Sequence, residues 1–376
     1  MRRRTFVRLI LTLARAAVGV AVAVCLCPEH AVAGNLSYVL CTIDVETRTA
    51  TGNDLSRDIW GILPGETERH GIERMMDILE QHNVKGTFFV NVYDTPKCGE
   101  EELARVCRTI RGRGHEVGLH THPDGAAHNR SIQDEDLTGQ EAELKRGMDA
   151  LRKWGLSDVI AHRAGSYLAN LDTVRACAQA GLFMEFSCNV AAPGSGLTHA
   201  GLTQNAPVVR DGVLCVPVTA YAQGEVGSWQ SMRFLDIESS SPDEIRQVVS
   251  ELKSHDVRTA VIMMHSFSFS RFGKPNHRAE KAMDDLLAGF AKDPDVRVVS
   301  ARQLYDIWRA DPQALAGGDF VPTTGWWMTY CRAWQRLDEG WKNVVVATGP
   351  PAALVLAGGI GGVAWRRRRR KAQVAA

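Results

Sequence analysis

Three polar groups of residues close short apolar runs, and their types could do chemistry together. Asp44-Val45-Glu46 ends the run Tyr38 to Ile43, His120-Thr121-His122-Pro123-Asp124 ends Val117 to Leu119, and His265 ends Thr259 to Met264. In an extended chain alternate residues share a face, so Asp44 pairs with Glu46 and His120 with His122. Two histidines and one carboxylate converging on a point form an open zinc-type site, with a position left for water. Beside such an ion a carboxylate can take a proton and an imidazole can return one. A lone H-x-H is more often a pair of surface histidines. A D-x-E and a further histidine, each at a strand end, reverse that weighting.

The elements that must position these residues follow from periodicity. The apolar runs at 38–43, 86–90, 117–119, 159–161, 184–186, 213–218, 259–264 and 296–299 read as buried strands. Between them, helical spacing covers 71–82, with Ile72, Met75, Met76, Ile78 and Leu79 on one face, and then 100–113, 139–154, 171–180, 279–291 and 301–310. Ser241-Pro242-Asp243-Glu244 opens another helix, with a capping serine, proline at the first position and acids in the first turn. Alternation of strand and helix from 38 to 310 predicts an α/β fold built on a mostly parallel sheet or barrel. In such folds active sites form at the C-terminal ends of the strands, where the three polar groups stand.

The ordered series of motifs resembles the polysaccharide deacetylase (NodB-homology, carbohydrate esterase family 4) proteins over about Leu36 to Ala310. "CTIDVE" (Cys41 to Glu46), "GTFFV" (Gly86 to Val90), "GHEVGLHTHP" (Gly114 to Pro123), "HRAGSY" (His162 to Tyr167) and "VIMMHSF" (Val261 to Phe267) carry the likeness. The resemblance implies a distorted seven-stranded parallel (β/α) barrel and hydrolysis of N-acetyl or O-acetyl groups on a polysaccharide. It implies a metal ligand at His120, a catalytic base at Asp44, an arginine that orients that base at Arg163, and a general acid at His265. It also implies that the backbone N–H of Tyr167 serves an oxyanion.

The sequence departs from the family pattern in three places. Val45 stands where the metal-binding carboxylate is expected, so Glu46 is assigned that role, although Asp44 and Glu46 can exchange duties. The second motif is compressed, which makes His122 the next ligand and Asp124 the fallback. No counterpart of the family's aspartate–tryptophan motif is visible, so His265 lacks an assigned charge partner. The expected metal set is therefore Glu46, His120 and His122, with zinc as the ion. His115 is read as structural, and His162 as facing away from Arg163.

The formal net charge of +1 gives no reason to expect a nucleic-acid partner. Arg2, Arg3 and Arg4, the apolar stretch Ala16 to Leu26, and Ala31-Val32-Ala33 read as a signal peptide over 1–33. The apolar run 344–365, followed by Arg366 to Lys371, reads as a transmembrane helix with a basic cytoplasmic tail over 366–376. A catalytic domain over 34–310 and a Trp-rich spacer over 311–343 lie between them. That spacer suits either a membrane-interface belt or a flap packed on the domain. The expected location is the outer face of the cytoplasmic membrane, periplasmic or extracellular. Cys41, Cys98, Cys107, Cys177, Cys188, Cys215 and Cys331 contain no C-x-x-C pair, which speaks against a cysteine-built metal site. Two other classes compete with the deacetylase reading: a glycoside hydrolase, which needs two flanking carboxylates and no metal, and a carbohydrate-binding relic with an incomplete site.

Overall fold

The computed structural model describes residues 36–125, 130–226, 229–337, 343 and 345–346, and the fold is that of the unit beginning at Ser37. Strands and helices alternate in the order β1 (Ser37–Val45), α1 (Ile72–Gln81), β2 (Thr87–Asn91), α2 (Glu100–Gly112), β3 (Glu116–Thr121), α3 (Leu137–Lys153), β4 (Ala161–Ala164), α4 (Leu171–Ala180) and β5 (Met184–Glu185). Then come β6 (Val208–Arg210), β7 (Val213–Cys215), the hairpin β8 (Ala220–Val226) and β9 (Trp229–Phe234), α5 (Pro242–Ser254) and β10 (Thr259–His265). A small hairpin, β11 (Ser270–Arg271) and β12 (Lys274–Pro275), precedes α6 (His277–Phe290), β13 (Val296–Val298), α7 (Ala301–Ala310) and α8 (Gly325–Gln335).

The sheet runs β10-β1-β2-β3-β4-β5-β7, seven strands all parallel, with β6 antiparallel at one edge and β13 parallel beside the start of β1. The seven expected parallel strands are present, but the ladder stays open between β7 and β10. Single contacts bridge that gap. The Val261 N–H donates to Thr219 Oγ1, the Leu235 N–H to the Thr219 carbonyl, and Asp236 pairs with Met263 as one parallel bridge. The segment after β9 therefore occupies the place of a closing strand.

Both faces of the sheet are covered, which is why the strands read as near-continuous apolar runs. Every residue of β1, β2, β3 and β4 is buried. The apolar face of α1 enters the same core, and burying side chains of that size contributes about 1.5–3 kcal/mol each. Serine caps with capping boxes start α5 at Ser241 and α7 at Ser300. The seven cysteines among the described residues are all free thiols.

One expectation is corrected. Among the described residues no helix is long and apolar enough to cross a membrane, so the transmembrane helix over 344–365, and with it the membrane as a partner, is withdrawn. Apart from Val345 and Val346 that run lies outside the described residues, as do 1–33 and the basic tail. The Trp-rich stretch packs on the domain. Arg332 on α8 grips both carboxylate oxygens of buried Glu244 at 2.5 and 2.7 Å, and Trp326 lies over Gly224 of β8.

Candidate active site

Parallel registry brings the polar residues to one edge. Asp44 stands beside Phe89 on one side and His265 on the other, and His120 lies between Asn91 and Arg163. Glu46 follows β1 by one residue, and His122 follows β3 by one. All six residues singled out from the sequence thus stand at the C-terminal ends of parallel strands.

Glu46, His120 and His122 meet. Glu46 Oε2 lies 3.2 Å from His120 Nε2 and 3.0 Å from His122 Nε2, and one ligand atom from each residue falls within 4.8 Å of the others. The Nδ1–H of His120 donates to the Arg163 carbonyl at 2.9 Å, which fixes the ring orientation and points Nε2 at Glu46. His122 holds its position because residue 165 is glycine: a Cβ there would meet the His122 ring at 2.1 Å. Burial opposes ionisation of Glu46, but the hydrogen bonds and charges of His120 and His122 outweigh it and hold its carboxyl well below the usual range. Burial likewise opposes the His120 cation, and Asp44 and Glu46 reverse that, raising its pKa. Buried rings so close to a carboxylate form a set of nitrogen and oxygen donors that fits a divalent ion of the zinc class. Asp124 lies outside this cluster.

Asp44 is held separately. Arg163, fully buried, donates from Nη1 to Asp44 Oδ1 at 2.7 Å and from Nη2 to Thr42 Oγ1 at 2.9 Å. Its guanidinium lies 4.4 Å from the Phe89 ring centre and 6.0 Å from that of Phe186, which packs beside the Phe89 ring. A planar cation so fixed orients the carboxylate rigidly. Neighbouring His162 faces the other way, its Nε2 3.0 Å from Thr121 Oγ1, and burial lowers its pKa.

His265 approaches from the other side, with Nε2 3.9 Å from Glu46 Oε1 and its side chain 25% exposed, the most open of the set. Glu238, which the sequence reading missed, supplies its partner: Oε1 lies 2.9 Å from His265 Nδ1. The Ser268 hydroxyl donates to the same oxygen at 2.5 Å and accepts the His265 N–H at 2.8 Å. Burial disfavours the imidazolium, but Glu238, with Glu46 and Asp44 beyond it, lifts the His265 pKa to about 10. A signal for Glu238 was available, because Asp236-Ile237-Glu238 repeats the D-x-E spacing of Asp44-Val45-Glu46 and follows a strand. On the rim, Ser166 and Tyr167 both adopt positive φ, at 54° and 62°. Such backbone is strained for residues with a Cβ and is found at functional sites.

The polysaccharide deacetylase family profile matches residues 63–184. A polysaccharide deacetylase structure from Mycobacterium smegmatis is 21% identical, with 77% of this chain and 94% of that one aligned at a TM-score of 0.54. A family 4 carbohydrate esterase from Streptomyces lividans is 14% identical over 76% of this chain and 98% of its own, at a TM-score of 0.37. No relative among curated proteins matches. The half-open parallel α/β sheet is the fold shared with the Mycobacterium smegmatis structure, and its histidines and carboxylates gather at one edge. Over residues 63–184, about a third of its length, the chain is similar to the polysaccharide deacetylase family.

Proposed function

We propose that the protein is a zinc-dependent deacetylase that hydrolyses N-acetyl groups on an envelope or exported polysaccharide. One observation carries this reading: Glu46, His120 and His122 converge while Asp44 and His265, each held by its own partner, flank them. A divalent ion held by Glu46, His120 and His122 supplies Lewis acidity toward the acetyl carbonyl.

Asp44, oriented by Arg163, takes a proton from the water that attacks the carbonyl carbon. His265, kept protonated by Glu238, gives its proton to the departing nitrogen as the C–N bond breaks. Acetate and a free amine leave, and the Asp44 proton returns to solvent. The backbone N–H of Tyr167 serves the developing oxyanion, with the positive φ of Ser166 and Tyr167 turning the chain toward the site.

The glycoside hydrolase alternative needs one carboxyl kept protonated as an acid. Glu46 is instead held ionised, which disfavours that alternative. The carbohydrate-binding relic loses its support once Glu238 supplies the missing partner of His265. Export is proposed from the basic and apolar pattern of 1–33, and loss of the domain from intact cells under external protease checks it.

The direct test is acetate release from an N-acetylated glucosamine polymer and from an O-acetylated xylan. Equal amounts of acetate and new amine from the first, abolished in Asp44→Asn, are expected. Release from the xylan alone would move the assignment to ester hydrolysis, and release from neither would remove it.

A further inference from the structure

A second group of metal-type side chains lies outside the site described above, and the proposed deacetylation does not use it. Its members are His70, just before α1, and His277 and Glu280, three residues apart in the first turn of α6. One ligand atom from each lies within 4.8 Å of the others. His70 Nδ1 is 2.5 Å from Glu280 Oε1, and His277 Nδ1 is 3.6 Å from Glu280 Oε2. The two rings stand edge-on, 5.6 Å between centres.

His70 and Glu280 are buried while His277 is 74% exposed, so the cluster has fixed inner donors and an outer one that solvent reaches. An ion pair alone would need only His70 and Glu280. The third donor, on the same helical face as Glu280, turns the pair into the two-histidine, one-carboxylate set that suits zinc-class ions. Arg74 reaches Glu280 Oε2 only at 3.6 Å, beyond a hydrogen bond, and 36% of its side chain is exposed. The support beneath His70 is rigid. Its N–H donates to the Gly61 carbonyl at 3.0 Å, and the chain crosses itself so closely that a Cβ on Gly71 would come within 2.1 Å of the Ile59 carbonyl oxygen.

We infer that His70, His277 and Glu280 form a second divalent-cation site, separate from Glu46, His120 and His122. The segment carrying His70 leads from Glu46 at the end of β1, and α6 follows the β11–β12 hairpin that leads from His265 at the end of β10. An ion bound here ties together the two connections that leave the catalytic strands. Its role is to fasten those connections, not to touch substrate.

The test uses the full chain, zinc alone as probe, and equilibrium dialysis with elemental analysis. Wild type is expected to hold roughly two ions per chain, and His277→Ala and the double variant His120→Ala/His122→Ala about one each. Because His277 is exposed, its replacement leaves the fold intact. Zinc should also raise the Tm of the double variant and no longer do so once His277→Ala is added. A folded double variant that binds no zinc would overturn the second site, as would a His277→Ala protein that still binds two. If wild type binds one ion and His277→Ala none, the second site stands and the metal role of Glu46 falls.

Discussion

Strand β3 carries a histidine near each end, and the two ends do different things. At the N-terminal end His115 is buried. Its Nδ1 accepts the Gly86 N–H at 3.1 Å and its Nε2 faces Glu80 at 3.2 Å. Glu80 is already saturated by Arg113, at 3.1 and 2.6 Å, with Lys85 close by. Burial, aided by the Lys85 charge, pushes the His115 pKa down to about 4. At the C-terminal end the arrangement differs: His120 and His122 face Glu46, and Arg163 is taken by Asp44. The lesson is that residue type does not decide the role. Buried between a saturated Glu80 and nearby cations, His115 serves as a strut, whereas at the other end two histidines and a carboxylate gather into a donor set that fits a metal.

Predictions that break or sharpen this contrast start with His265. His265→Ala should cut turnover by roughly 100-fold to 10,000-fold, the usual span for a general acid, with bound zinc unchanged by elemental analysis. Loss of zinc with activity would make His265 a ligand instead. Next, Gly165→Ala should drive a methyl group into the His122 ring and weaken metal binding by about 10–100-fold, measured by competition with a chelator. Unchanged affinity would show that His122 is not a ligand. Third, Glu238→Gln removes the nearest carboxylate on His265, so the alkaline limb of kcat/KM should move to lower pH by about one unit or more. A profile that does not move would deny Glu238 its role.

The smallest effect belongs to the strut. His115→Ala should cost about 1–3 kcal/mol in urea unfolding, from the unpaired Gly86 N–H and lost packing, and leave kcat unaltered. The two ends should also respond oppositely to pH in the metal-free protein. His115 binds its proton more weakly folded than unfolded, so its stabilisation is full above the ordinary imidazole value of 6.5 and is lost as pH falls toward about 4. His265 binds its proton more strongly when folded, so its contribution is full below 6.5 and is lost as pH rises through about 10. Comparing the pH dependence of unfolding for His115→Ala and His265→Ala with that of wild type separates the two.

Much of this arrangement is legible in the sequence, because parallel strands buried on both faces write themselves as apolar runs whose last residues sit at one edge. Asp44, Glu46, His120, His122 and His265 are found that way, and Arg163 through its motif. Glu238 escapes because it stands after the β8–β9 hairpin, in a segment that joins the sheet through one bridge to Met263 and so lacks a strand's apolar run. The Trp-rich stretch stays undecided in the sequence for a related reason. Composition leaves a spacer and a packed flap equally open, and the contact between Arg332 and Glu244 that decides it spans 88 residues.

The most direct test of the account is removal and return of metal. Wild type stripped by a chelator should release no acetate from an N-acetylated polymer, recover fully with added zinc, and lose that recovery in His120→Ala/His122→Ala. Undiminished acetate release by protein shown to be metal-free would contradict the role given to Glu46, His120 and His122.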